Sequence, residues 1–290
     1  MPLPPRDPAI AAFLAAIRRD CNRIGRLERD PLALVRPYPD LADRELAGFL
    51  ASTLAFGRVD LIMAAVGEAL GPLGSRPAKR LAEMSEGEIA KTWSGFQYRY
   101  CFSADLVALL VGLKRAREEY GSLEALFAAG DPGGRGARPG GRGGSGLRGG
   151  GAGADSLVEA LDVFSRRIND LAEHRGRSLR PGLVPEVSRG SACKRLFLFL
   201  RWMVRSDEVD PGGWTTVSPS RLVVPIDVHM ARVCHERLGF IASPAPSLAN
   251  ALRATACFRL YAPRDPVKYD FALTRPGIDP IPGDEAWGCT

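Results

Sequence analysis

The sequence contains few of the patterns from which metal and redox centres are built. Its six cysteines are scattered along the chain, and no two of them form a C-x-x-C pair. This spacing argues against a disulfide framework, a zinc ribbon and a four-cysteine iron–sulfur cluster. We therefore expect reduced thiols in a cytoplasmic protein that holds no metal and no cofactor.

Long apolar runs are also missing. Residues 9–17 are apolar, but Arg18, Arg19 and Asp20 follow them, where a signal peptide would have small residues and a cleavage site. No run is long enough to cross a bilayer. The sequence therefore indicates a protein that is neither secreted nor embedded in a membrane.

The chain has instead an excess of positive charge and enough apolar residues for a core. Its 290 residues are 46% hydrophobic, which suffices for one good-sized core or two small ones. The formal net charge is +6. Such an excess suits an anionic partner, and nucleic acid fits it better than a membrane surface.

Apolar residues recur at helical spacing along most of the chain. This pattern predicts helices over residues 8–27, 43–54, 61–70, 104–120, 123–129, 157–171, 248–261 and 267–275. No convincing set of strands accompanies them, so we predict an all-α fold. Residues 131–154 break the pattern with a low-complexity Gly/Arg insertion that we expect to be disordered.

A lysine and an aspartate each stand at the predicted start of a helix. Ser191 is the expected N-cap of an apolar helix, which places Lys194 near its third position, and Asp227 is the expected N-cap of a helix from Val228 to Leu238. The helix dipole and apolar surroundings favour a neutral amine at Lys194, which a lysine nucleophile requires. The alternatives are a solvated surface lysine and an aspartate that only caps a helix.

A second unusual stretch, residues 93–102, surrounds Arg99 with aromatic side chains. Such mixtures stack on bases or bind phosphates. The alternative is a corner between two helices with a hydrogen-bonded arginine.

The run Pro225–Val233, with Asp227, His229 and Arg232, resembles the signature around the catalytic aspartate of the helix-hairpin-helix (HhH-GPD) DNA glycosylases. Residues 190–194 resemble the end of the hairpin in that family, and residues 47–59 resemble its early helix and loop. The chain is most similar to an uncharacterised bacterial family with a glycosylase-like core. Two features differ: only Gly190 precedes Lys194 in the hairpin, and the 33-residue separation of Lys194 from Asp227 is more like that of archaeal 8-oxoguanine glycosylases.

The resemblance implies a domain organisation of two helical lobes with the active site in the cleft between them. One lobe would comprise residues 42–215, with a modified helix-hairpin-helix and the insertion at 131–154. The other would combine residues 1–41 with 216–278, and residues 279–290 would form a tail.

The resemblance also implies an activity, base excision from DNA with cleavage at the abasic site. Lys194 would attack C1′ of the sugar and Asp227 would stabilise the developing charge, supported by Ser191, His229 and Arg232. The residues expected to contact DNA are Phe56, Gly57, Arg58, Arg99, Gly190 and Arg195. Trp202 and Trp214 would line the base pocket, although Trp202 also fits a core position.

The expected partner is double-stranded DNA with a damaged base, such as an oxidised purine, flipped out of the stack. We expect a nucleoid-associated monomer. One alternative function is a glycosylase-derived protein that recognises damaged or distorted DNA and cuts nothing, and another is action on RNA.

Overall fold

The structure, a computed structural model, describes residues 2–133 and 152–288 and is mainly helical. Its helices and strands are α1 (Pro8–Cys21), α2 (Leu41–Leu54), α3 (Val59–Leu70), α4 (Pro77–Glu83), α5 (Glu86–Thr92), β1 (Gln97–Tyr98), β2 (Cys101–Phe102), α6 (Ser103–Tyr120), α7 (Leu123–Ala129), α8 (Ala152–Leu171), α9 (Lys194–Val204), α10 (Val228–Arg232), α11 (Leu248–Arg259) and α12 (Asp270–Ile278). The predicted all-α class is confirmed.

Several helix boundaries follow from local capping. Asp7 accepts a hydrogen bond from the Ala9 N–H at 2.7 Å, and Pro8 occupies the first helical position of α1. Ser85 and Glu88 form a complete capping box at the start of α5. The predicted start of the first helix, at residue 8, is confirmed.

The described residues form two compact units. Unit 1 comprises residues 1–26, 131–159 and 190–290, and unit 2 comprises residues 27–130 and 160–189. This division differs from the predicted lobes, because residues 190–215 belong with the C-terminal helices. Lys194 and Asp227 therefore lie in the same unit.

Unit 2 packs an aromatic core on α2. Phe49 lies edge-on to Phe164 at 5.8 Å between ring centroids, and Phe127 lies at 5.8 Å from the same ring. The fully buried carboxylate of Glu45 accepts hydrogen bonds from the N–H groups of Leu123 and Glu124, so it caps α7 from inside the core.

Unit 1 is held together by a buried network of arginines and aspartates. Arg201 of α9 donates to Asp210 at 2.8 and 3.0 Å and to Asp270 of α12 at 2.5 Å. Arg205, one turn further along α9, pairs with Asp210 and with Asp265. The aspartate partners all lie in the C-terminal part of unit 1, so these contacts hold α9 in that unit.

Both ends of the predicted insertion and the predicted tail carry structure. Asp131 forms a bidentate ion pair with Arg221, both bonds at 2.6 Å, and α8 begins at Ala152, five residues before the predicted start. The rest of the expected disordered insertion, residues 134–151, lies outside the described residues. In the expected tail, Asp284 forms a buried bidentate pair with Arg26, so residues up to Gly288 belong to unit 1.

Among the described residues, no helix is long and apolar enough to span a bilayer.

Candidate functional site

Lys194 is the first residue of α9, and its position differs in detail from the prediction. The N-cap position is occupied by Cys193, which has a left-handed backbone (φ 46°) and makes no side-chain cap. Ser191 instead accepts a hydrogen bond from the Cys193 N–H at 3.2 Å, in a turn just before the helix. The prediction that Ser191 caps the helix is therefore wrong.

Asp227 is the N-cap of α10, as predicted. Its carboxylate accepts a hydrogen bond from the Met230 N–H at 2.8 Å. The helix that follows is α-helical only to Arg232 and continues as a π-helix over Val233–Arg237. This hydrogen bond from the backbone fixes the rotamer of the Asp227 side chain.

The two residues meet within unit 1. The Lys194 Nζ lies 2.9 Å from Asp227 Oδ2, and the side chains are 34% and 16% exposed. Lys194 therefore lies in a salt bridge, and not in the apolar surroundings that the sequence predicted for it. The structure thus places an ammonium donor and a fixed carboxylate together, with part of the lysine open to solvent.

The ionisation of Asp227 is set by competing influences. Burial raises the pKa of the Asp227 carboxyl, but the charge and hydrogen bond of Lys194 and the Met230 N–H outweigh it, so the pKa lies below its ordinary value. The aspartate is therefore an anion at neutral pH. A permanent anion at this position can stabilise positive charge that develops on a bound molecule.

The predicted supporting residues around this pair have different surroundings. Buried Nδ1 of His229 has no hydrogen-bond partner among the described residues, so the expected hydrogen bonds that orient the aspartate's loop are not formed there. Arg232 is half-buried at the end of α10. Arg195, the second residue of α9, is also half-buried.

The segment before α9 lacks one half of the expected motif. Residues 172–193, all of which the structure describes, contain no α-helix; they hold an isolated β-bridge between His174 and Arg177 and a 3₁₀ turn at Val187–Arg189. Gly190 follows it, exposed and with a positive φ of 79°. The predicted helix-hairpin-helix is thus reduced to a turn followed by α9.

The two tryptophans predicted to line a base pocket lie in the core of unit 1. Trp202 is 1% exposed and Trp214 is 4% exposed. Trp214 packs edge-on against Phe199 at 5.3 Å between ring centroids. Trp202 and Trp214 present little surface to solvent, and the core position considered for Trp202 is the observed one.

In unit 2, the predicted DNA-contacting loop packs against a β-hairpin. Strands β1 and β2 pair Tyr98 with Cys101, so Arg99 and Tyr100 form a two-residue turn. The ring of Phe56 stacks on Tyr100 with 4.4 Å between centroids, and the Tyr98 hydroxyl donates to the Phe56 carbonyl. The stretch does lie between two helices, α5 and α6, as the alternative suggested, and the connection is a hairpin.

Gly57 lets the two segments approach each other closely. Its φ is 103°, and a Cβ at this position would lie 2.9 Å from Nη1 of Arg99. Arg99 itself has a positive φ of 51°, which is unusual for an arginine. Arg58 follows with a side chain that is 80% exposed. We call Phe56, Gly57, Arg58, Arg99 and Tyr100 the aromatic–arginine surface.

Two features of these sites escaped the sequence analysis. Tyr100, which completes the stack on Phe56, was visible only as one member of an aromatic-rich stretch. Asp270, whose pKa is raised by burial and also by the charge of Asp227, has no local signal that separates it from an ordinary helix start. The described residues hold no cluster of three or more His, Cys, Asp or Glu residues that could bind a metal ion.

Comparison with known proteins gives a family and little more. A family model described as "Protein of unknown function (DUF2400)" matches residues 30–279. No curated protein and no solved structure matches the chain.

Proposed function

The chain belongs to the family of proteins of unknown function (DUF2400), and we propose that it is a DNA glycosylase with AP-lyase activity. It would remove a damaged base, such as an oxidised purine, through a Schiff base on Lys194. The observation that carries this proposal is the 2.9 Å contact between Lys194 and Asp227, with the lysine one-third exposed. The net charge of +6 supports a polyanionic substrate.

Lys194 would supply the nucleophile. After its ammonium loses a proton, the amine attacks C1′, the bond between C1′ and the base breaks, and the base leaves with a proton. The resulting amine on C1′ opens the sugar to an iminium ion. Loss of the proton on C2′ then expels the 3′ phosphate and cuts the strand.

Asp227 would act mainly through its charge. Because its pKa is lowered, it stays ionised beside a sugar that becomes positive as the base departs. It is also hydrogen-bonded to Nζ, so it can take the proton that Lys194 must lose, pass it to the departing base and return to the anion. Its cap on α10 fixes it before substrate binds.

Borohydride trapping tests the lysine chemistry directly. The wild-type protein is incubated with duplexes that carry 8-oxoguanine, an abasic site or no lesion, and borohydride reduces any Schiff base to a stable adduct. We expect a covalent band with the abasic duplex and with the preferred lesion, and none with the undamaged duplex. No band on any duplex would reject Lys194 as a nucleophile toward these lesions.

The aromatic–arginine surface would bind DNA by stacking. Tyr100 is 41% exposed and lies on Phe56, so it can offer a ring to an unstacked base. We expect Tyr100→Ala to weaken binding to lesion-containing duplex by about 10-fold, the loss of roughly one stacking contact. Fluorescence anisotropy at fixed salt measures the change.

Phe102→Ala is the matched control for this variant. Phe102 is equally exposed, at 40%, on the same hairpin, but its ring faces the guanidinium of Arg180. Its replacement is expected to leave the affinity within about twofold of wild type. Equal losses for both variants would show that the hairpin, and not the stack on Phe56, is what binding needs.

One observation favours the second candidate, a glycosylase-derived protein that binds DNA without cutting it. The helix-hairpin-helix is reduced to a turn before α9, while the aromatic–arginine surface is complete. Under this alternative, anisotropy would detect binding to damaged duplex and borohydride would trap nothing.

A further inference from the structure

A buried carboxylate lies behind the Lys194–Asp227 pair. Asp270 is the first residue of α12 and is 5% exposed. It accepts a 2.5 Å hydrogen bond from Nη1 of Arg201, which belongs to α9, the helix that Lys194 begins. The helix α12 also packs against α10, whose N-cap is Asp227. The Arg201–Asp270 ion pair therefore joins α9, which Lys194 begins, to α12, which packs against the helix that Asp227 caps.

We propose that Asp270 is a positioning residue for the Lys194–Asp227 pair, and that its ionisation controls the electrostatic field at this pair. The catalytic role of the pair rests on the proposed function, whereas the contacts of Asp270 with the surrounding helices do not depend on it. Lys194 and Arg201 are two turns apart on α9. A change in the Arg201–Asp270 contact therefore shifts this helix or changes the electrostatic potential at its first turn, where Lys194 lies.

The charges around Asp270 are unbalanced. Two buried arginines, Arg201 and Arg205, together with the partly exposed Arg18, face four carboxylates. These carboxylates are Asp207, Asp210, Asp265 and Asp270. Because buried like charges repel strongly, the network favours a proton on one of its carboxyls.

Asp270 is the carboxyl that holds this proton most readily. Burial raises its pKa to about 6, against the opposing effect of Arg201 and with added repulsion from Asp227 and Asp210. Asp207, in contrast, has a pKa well below its ordinary value: burial raises it, but Arg205 and two backbone N–H groups outweigh burial. The proton is therefore gained and lost at Asp270, whose pKa also responds to the charge of Asp227.

Two cysteines on the other elements around α12 keep their protons through this pH range. From the π-helix, Cys234 faces Asp270, and burial holds its pKa well above its ordinary value. From α1, which also packs on α12, burial raises the pKa of Cys21 to about 11. His229 follows Asp227 on α10, and its charge also acts on Asp227, so a test must separate it from Asp270.

The sign of the pH effect follows from the raised pKa. A carboxyl with a pKa of about 6 in the folded state and 3.8 as its ordinary value binds more protons when folded. The stabilisation of the folded state by this proton is complete below about pH 4 and is lost as the pH rises to about 6. Above pH 6 the ionised Asp270 repels Asp227 and pairs fully with Arg201.

The NMR signal of Lys194 can report this titration without any DNA. The sequence has five lysines, and reductive methylation with ¹³C-formaldehyde gives each a separate dimethylamine resonance. Lys194→Arg identifies the resonance of Lys194. We expect this resonance in the wild type to show a titration step with a midpoint near pH 6, caused by Asp270.

Three variants assign the step. It should remain in His229→Gln and in Asp265→Asn, whose carboxylate pairs with Arg205 instead of Arg201. It should vanish in Asp270→Asn, which keeps the shape of the side chain and removes its charge. A step that persists in Asp270→Asn, or that disappears in His229→Gln, overturns the proposal.

The wild type decides the question even if Asp270→Asn fails to fold. A Lys194 resonance without a step between pH 5 and 7 refutes the proposal, and a step that survives in His229→Gln supports it. Failure of the glycosylase proposal looks different, since borohydride would trap no adduct while the Lys194 resonance still titrates with Asp270.

Discussion

Lys194→Ala is expected to abolish the borohydride-trapped adduct and strand cleavage, a loss of about 10³-fold or more. The Schiff base requires an amine at this position, and alanine offers none. The variant should fold, because Lys194 is one-third exposed and Asp227 keeps its cap hydrogen bond from the Met230 N–H. Trapping on an abasic duplex, quantified by gel, measures the loss.

Lys268→Ala is the control for this prediction. Lys268 belongs to the same unit, and burial, aided by the nearby charge of Arg18, lowers its pKa, so a larger fraction of Lys268 than of an ordinary lysine is the neutral amine. It has no carboxylate partner like that of Lys194; its Nζ lies over the ring of Tyr269. We expect Lys268→Ala to trap as well as wild type. A band that survives in Lys194→Ala and is lost in Lys268→Ala would assign the nucleophile to Lys268.

Arg201→Leu is expected to lower the free energy of unfolding by about 3–5 kcal/mol. The Arg201 side chain is 4% exposed and satisfies Asp210 and Asp270, which are equally buried. Without the guanidinium, these two carboxylates have lost a shared cation and repel each other. Urea unfolding at pH 7, followed by circular dichroism, measures the change.

Two further variants make this stability prediction specific. Arg201→Leu combined with Asp270→Asn should recover part of the loss, because one of the uncompensated charges is removed. Arg19→Ala breaks only an exposed pair with Asp20 and should leave the unfolding midpoint unchanged. A loss below about 1 kcal/mol in Arg201→Leu would mean that the network contributes little to the fold.

The sequence alone determined the features that depend on neighbouring residues. The apolar periodicity predicted most helices, and local capping predicted that α10 begins after Asp227. It also selected Lys194 and Asp227 as a pair, although nothing local requires residues 33 positions apart to meet. At Ser191 the same local reasoning failed, because a left-handed Cys193 takes the cap position.

The tertiary structure decided the features that depend on distant contacts. Arg201 pairs with Asp270 across 69 positions, Arg221 with Asp131 across 90 and Arg26 with Asp284 across 258. These buried ion pairs place α9 in unit 1, join the start of the insertion to that unit and turn the expected tail into structure. A charged residue in a sequence does not reveal whether it will be buried or which opposite charge it will meet, so only the folded chain assigns these partners.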